Sequence, residues 1–176
     1  MQTSQLVFKD QFFAVVRDLQ DSICTSLEHF EPNHKFIEDR WERADGGGGW
    51  SRVLSGGETF EKAGVNVSAV HGDLPEVLRG SVPDSATAFY ATGVSLVIHP
   101  KNPMIPTTHA NFRYFEVTDE QGTVVDRWFG GGADLTPYYF FQNDAQHFHL
   151  ALKEACDSHA NSCNPSRDRN ERDRRH

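Results

Sequence analysis

Residues 91–115 read ATGVSLVIHPKNPMIPTTHANFRYF, two apolar-rich segments on either side of a loop held stiff by Pro100, Pro103 and Pro106. The first predicts a strand over Tyr90–His99. Because strand side chains alternate, Val94, Leu96 and Ile98 take one face, and Ser95, Val97 and His99 take the other. The second predicts a strand over His109–Val117, with His109, Asn111 and Arg113 in a row and Ala110, Phe112 and Tyr114 opposite. Alternate residues stand about 6.8 Å apart along a strand, so imidazole, amide and guanidinium form a row suited to an extended polar ligand. Arg113 offers a planar fork that matches a carboxylate. Asn111 donates and accepts, and His109 exchanges a proton near neutrality. A solvated face of an antiparallel sheet also reads His-x-Asn-x-Arg, so the pattern by itself leaves both readings open.

Working outward, Phe8, Phe12, Val15 or Val16, Leu19, Ile23, Leu27 and Phe30 fall at helical spacing, with Asp10, Arg17, Asp18, Gln20 and Asp21 on the other side and Pro32 as the stop. The run Gly46–Gly49 leads into Trp50–Leu54, and Ser55-Gly56-Gly57 separates it from Glu58–Lys62, which reads as a β-hairpin. Val65, Val67 and Ala69 alternate with Asn66 and Ser68 as a further half-buried strand, and Val124–Phe129 is another. Gly130–Gly132 allow close backbone approach or positive φ. Asp134 either carries charge toward a site or caps a turn with Thr136. Phe148, Leu152 and Ala155 predict a helix between Asn143 and Cys156. A helix, several strands on short connections and a final helix predict an α+β fold with a large, mainly antiparallel sheet flanked by helices.

The chain has 176 residues, 38% hydrophobic and 24% charged, which supports one domain with a sizeable core. A net charge of −8 argues against a general nucleic-acid binder. Cys24, Cys156 and Cys163 cannot all pair and form no C-x-x-C, which excludes a disulfide scaffold and a cysteine-based zinc site. No apolar run approaches the roughly 18 residues of a membrane span, and residues 1–10 resemble neither a signal nor a transit peptide, so the expected location is cytoplasmic. No phosphate-cradling glycine pattern is present. Residues 164–176 hold five Arg against three acids and nothing apolar, which predicts a polar, disordered tail over 161–176 after a domain over 1–160.

His147 and His149 sit about 200° apart on a helix, so they cannot share a metal. His149 lies nearer the apolar side, and with His99 and His109 it makes three imidazoles, a set suited in principle to zinc, copper or iron. A histidine at the edge of a core explains the same position.

Longer strings carry more. GGGGWSRVL (46–54), FEKAGVNVS (60–68), GVSLVIHPKNP (93–103), PTTHANFR (106–113) and WFGGGADLTPYY (128–139) resemble the oxygen-dependent coproporphyrinogen III oxidases, in family order from about Phe8 to Ala160. The resemblance implies oxidative decarboxylation of two propionates of coproporphyrinogen III to vinyl groups in haem biosynthesis. Dioxygen is the oxidant, no organic cofactor is used, and a divalent metal is assigned to part of the family while other members are metal-independent. It implies a homodimer, and compartments that include plastid and mitochondrial intermembrane space as well as cytoplasm. By the same resemblance His109 is the proton donor, and Ser95, Asn111, Phe112 and Arg113 contact substrate. His99, His109 and His149 match three of four metal-ligand histidines, with Asp168 where the fourth falls. The family pattern continues beyond these strings, so the expected sheet is incomplete at its C-terminal side and the dimerisation region lies outside the match. The alternative expectation is a catalytically inactive chain that binds tetrapyrrole or a full-length subunit.

Overall fold

The computed structural model describes residues 2–157 and 159, with side chains from Phe8 onward. The tail expected over 161–176 lies outside the described residues. The chain divides into two units, Met1–Tyr139 and Phe140–His176. The first holds helix α1 (Gln2–Glu28) and strands β1 (Ile37–Glu42), β2 (Gly47–Ser55), β3 (Phe60–Asp73), β4 (Ala88–Pro100), β5 (Thr107–Thr118) and β6 (Val124–Thr136). All six strands join one antiparallel sheet in sequence order. The second holds α2 (Gln142–Asp157). This is an α+β fold.

The alternation in β3 and β4 decides what α1 covers. Val65, Val67 and Val94 face the helix and bury against Val16 and Cys24, with Phe12, Phe13, Ile23, Leu27, Trp50 and Leu96 around them. Each buried Val contributes roughly 1.5–3 kcal/mol, so this face supplies much of the stability. Leu54, Phe60 and Ala63 extend the same layer. Burial also raises the Cys24 thiol above its ordinary value.

Gln20 corrects the helical reading. Placed on the polar side by spacing, it is fully buried, because its Nε2 donates to Trp50 O at 2.9 Å and Val65 O at 2.7 Å. Its Oε1 accepts from Arg17 at 2.7 Å, while Val15, Leu19 and Phe30 are the exposed members. The packed stripe is therefore rotated relative to the one that spacing suggests. Arg17 also stacks on Trp50 of β2 and pairs with Glu38 of β1, and Arg52 of β2 pairs with the same carboxylate.

Beyond the helix, Glu31 is fully buried and accepts backbone N–H bonds from Glu58 at 2.8 Å, Thr59 at 2.7 Å and Phe60 at 2.6 Å. Burial alone would raise this carboxyl, but the donors at Phe60, Glu58 and Thr59 hold it below the usual carboxylate range. Gly57 is required here, since a Cβ would lie 2.4 Å from Glu31 Oε1. Gly56 turns the chain with φ +68°. The hairpin turn is thereby tied to the end of α1.

Several strands differ from the sequence reading. β1 was not predicted, because IEDRWE has no apolar alternation; it is a short edge strand. The second hairpin strand and the 65–69 strand are one element, β3, bent by an irregularity between Phe60 and Lys62. Glycines 47–49 pair within β2, and glycines 130–132 pair within β6. Glycine depressed the strand signal at both places without breaking the ladder.

Candidate functional site

The register assembles side chains that lie far apart in sequence. On the face away from α1, cross-strand partners form three parallel rows. The central row runs Asp39, Ser51, Asn66, Ser95, Asn111 and Gly132, polar or side-chain-free on every strand. One neighbouring row ends in Val97, His109 and Asp134, and the other in Gly93, Arg113 and Gly130. Directly opposed residues on an antiparallel pair bring their Cβ atoms to about 4.5–5.5 Å, so Ser95 and Asn111 are immediate neighbours. At the far end of the strands Phe89, Phe115, Val117 and Trp128 pack under Leu74 and Ala86. The rigid end of the face is dry, and the polar rows lie beside it.

His109 Nδ1 lies 2.8 Å from Asp134 Oδ1, and Thr136 Oγ1 donates to the same oxygen at 3.3 Å. The carboxylate fixes the Nδ1–H tautomer and leaves Nε2 for proton exchange. The hydrogen bond from His109 holds the Asp134 carboxyl below its ordinary value. His99 comes within reach of His109, with ring centroids 6.1 Å apart and an edge-on geometry. Both the His109 ring and the Asp134 carboxylate are about half exposed, so the dyad is open to a ligand from solvent.

Arg113 is exposed and, among the described residues, has no ion pair or hydrogen bond. Asn111 Oδ1 is shielded from solvent and likewise unpartnered. A buried acceptor without a donor costs free energy that an incoming N–H or O–H would recover. A guanidinium without a counter-charge beside it invites a carboxylate.

The strands thus bring Ser95, His99, His109, Asn111 and Arg113 to one face. Phe112 is not with them: it points to the α1 side, where it is 47% exposed and stands opposite Gly131 of β6. Only its backbone belongs to the polar face. His149 lies on α2 in the second unit, its ring 5.9 Å from that of Phe148. The first unit therefore holds two of the three expected metal-ligand imidazoles, one of them committed through Nδ1 to Asp134. Among the described residues no three His, Cys, Asp or Glu side chains are grouped to hold a metal ion. Two imidazoles, one already engaged by a carboxylate, fall short of the three or four ligands of a closed metal centre.

Sequence reasoning left Asp134 between two roles because its neighbours Gly132 and Thr136 look like turn residues. The structure keeps it in β6, opposite His109. Asp39, Ser51 and Asn66 were not selected at all. Their signal was the polar half of each strand's alternation, which gains meaning only once the strands are aligned.

Residues 11–173 match the family model described as coproporphyrinogen III oxidase. The chain is 51% identical over 146 residues to the oxygen-dependent coproporphyrinogen-III oxidase of Prochlorococcus marinus (strain NATL1A), covering 82% of this chain and 40% of that protein. It is 49% identical over 157 residues to coproporphyrinogen-III oxidase 1, chloroplastic, of Arabidopsis thaliana, covering 84% and 41%. With the mitochondrial oxygen-dependent enzyme of Mus musculus the identity is 49% over 160 residues, covering 86% and 36%. The chain thus spans about 40% of the length of the curated relatives it matches. Identity at this level, along nearly the whole sheet, means that the chain belongs to the coproporphyrinogen III oxidase family.

Proposed function

We propose that the polar sheet face takes part in the oxygen-dependent oxidative decarboxylation of coproporphyrinogen III. The observation that carries the reading is the unpaired Arg113 guanidinium, set on one face with Asn111, Ser95 and the His109–Asp134 pair. Arg113 binds a propionate carboxylate, Asn111 and Ser95 orient the pyrrole that bears it, and His109 Nε2 exchanges a proton. For each propionate, –CH2–CH2–COO⁻ with dioxygen and one proton becomes –CH=CH2, carbon dioxide and hydrogen peroxide. The C–COO⁻ bond breaks, the side chain loses two electrons, and dioxygen gains them. Two such steps give protoporphyrinogen IX. The reading takes dioxygen as oxidant and invokes no organic cofactor; a divalent metal enters no step.

The homodimer is part of the same proposal, as is the compartment. The sequence reading placed the chain in the cytoplasm, and the relatives named chloroplastic and mitochondrial support the organelles; subcellular fractionation distinguishes these. Among the described residues no helix is long and apolar enough to cross a membrane.

A second reading is favoured by β6, a 13-residue strand that among the described residues is paired on one side only. In that reading the chain binds tetrapyrrole without turning it over, or pairs through this edge with a full-length subunit. Aerobic conversion of coproporphyrinogen III, followed as protoporphyrin fluorescence after oxidation, separates the two. Product formation by the chain removes the second reading. Arg113→Ala is expected to weaken tetrapyrrole binding about 10- to 100-fold, the worth of a charge-assisted hydrogen bond. Unchanged binding would sink the assignment of this face.

A further inference from the structure

A bulge interrupts the ladder between β3 and β4 beside the histidines. Phe60 pairs with Pro100 and Lys62 with His99, so Glu61 is the extra residue on β3. A bulge disrupts the ladder locally, so pairing alone holds the strand end weakly there. Yet the three consecutive amides of Glu58, Thr59 and Phe60, just before it, converge on one acceptor, the fully buried Glu31 carboxylate. A carboxylate taken out of water is costly to keep. This one is committed to backbone, with His34 Nδ1 no nearer than 3.8 Å.

The peptide unit joining Thr59 to Phe60 is engaged at both ends. Its N–H donates to Glu31 Oε1 at 2.6 Å, and its carbonyl, Thr59 O, accepts from the Lys101 N–H at 2.8 Å. An amide whose N–H meets an anion is polarised, and its carbonyl becomes the stronger acceptor. A short chain of hydrogen bonds therefore runs from a buried charge just past α1 to Lys101, two residues after His99. The loop it reaches is poor in donors, because Pro100, Pro103 and Pro106 have no N–H. Its Met104 and Ile105 amides turn back onto Asn102, whereas Lys101 reaches out of the loop to Thr59. That loop joins His99 to β5, which carries His109, and the two rings stand edge-on with centroids 6.1 Å apart.

We propose that Glu31 is a positioning residue for this site: through the Thr59–Phe60 peptide and Lys101 it fixes the loop that sets the His99 and His109 rings against each other. The inference rests on the reading under Proposed function, in which His109 exchanges a proton, and extends the site to a group that lies off the polar face. Glu31 acts on both imidazoles through backbone and is not itself a catalytic residue.

The test compares the full chain, Glu31→Gln and Val16→Ala by NMR; Val16 belongs to the valine cluster, which none of these bonds touches. In the unmodified chain the Lys101 and Phe60 amides are expected to be protected from exchange together. In Glu31→Gln, exchange at Lys101 is expected to quicken about tenfold or more, and the ring resonances of His99 and His109 to shift. Val16→Ala is expected to lower the Tm and leave those ring resonances in place. Should Glu31→Gln not fold, Gly57→Ala carries the same test, since its Cβ would press on Glu31 Oε1 from 2.4 Å without removing the charge. With coproporphyrinogen III, Glu31→Gln is expected to lower kcat about tenfold with KM little changed, because Arg113 stands four residues along β5 from His109. A freely exchanging Lys101 amide in the unmodified chain overturns the proposal. Ring resonances that stay in place in Glu31→Gln, or shift equally in Val16→Ala, overturn it too, because Glu31 would then serve stability alone. Absence of turnover by the unmodified chain overturns the functional reading instead, and the exchange and ring measurements, which need no turnover, tell the two failures apart.

Discussion

Val65, Val67 and Val94 are almost wholly buried beneath α1, whereas Asn66 and Ser95, their neighbours along the same strands, remain half-buried on the other side. The two faces differ by one residue of register and follow different rules. Beneath the helix nearly every polar group is spent: Gln20 on two carbonyls, Arg17 and Arg52 on Glu38, Tyr114 on Glu116 at 2.6 Å. On the open side Arg113 and Asn111 keep unspent valence. A face that holds the fold together satisfies itself. A face that waits for a ligand leaves its strongest groups unsatisfied, which lowers stability slightly and preserves binding energy.

The comparison is broken most forcefully at Tyr114. Its side chain is fully buried among Phe8, Phe12 and Phe129, with ring centroids 5.3–5.7 Å away, and its hydroxyl serves buried Glu116. Tyr114→Ala is expected to cost about 3–5 kcal/mol, read as a lowered denaturant midpoint at constant slope. A loss under about 1 kcal/mol would show that the helix-facing side does not carry the stability assigned to it.

Glu31 comes next. Glu31→Gln places an amide against three backbone donors and is expected to cost roughly 1–3 kcal/mol at neutral pH. The sign of the pH dependence is definite. The folded carboxyl lies below its unfolded value, so its stabilisation is present above the ordinary carboxylate range and fades as pH falls through the depressed folded value. The variant should lack that part of the acid limb of a stability–pH curve. An identical acid limb in both proteins would remove Glu31 from the account.

The smallest effect on stability is expected on the open face. Asp134→Asn breaks an exposed pair and should leave the denaturant midpoint essentially unchanged. The imidazole nitrogens of His109 should report it by NMR, because Nδ1–H exchanges an anionic acceptor for a neutral amide oxygen. Asp134 is held low by His109, so this contact is present above the ordinary Asp range and weakens as pH falls through the depressed value. Unchanged nitrogen shifts would mean that the contact does not set the tautomer. Coproporphyrin affinity that is retained while turnover falls would mark Asp134 as a positioning residue.

Much of this was legible before any coordinates. The α+β order, the faces of β4 and β5, and the row of His109, Asn111 and Arg113 all follow from period-two alternation, which is local. The long strings from 46 to 139 made the family recognisable. What escaped was non-local or masked by composition. β1 is charged, the glycine-bearing ends of β2 and β6 extend beyond the strands that alternation marked, and a polar residue such as Gln20 looks solvent-facing until two carbonyls are found above it.

The sequence by itself determined which residues share a strand and which side of it they take, because a pleated strand sends alternate side chains to opposite faces whatever surrounds it. It also determined the family. Only the tertiary structure decided that Asp134 stands opposite His109, that Gly132 stands beside Asn111, and that Asp39, Ser51 and Asn66 complete a polar row. Those outcomes depend on register, and register is set jointly by turns such as Gly56-Gly57, the irregularity near Phe60, and the packing of α1 on β3 and β4. A slip of one residue would turn the valine face outward, and the cost of exposing it selects a single alignment.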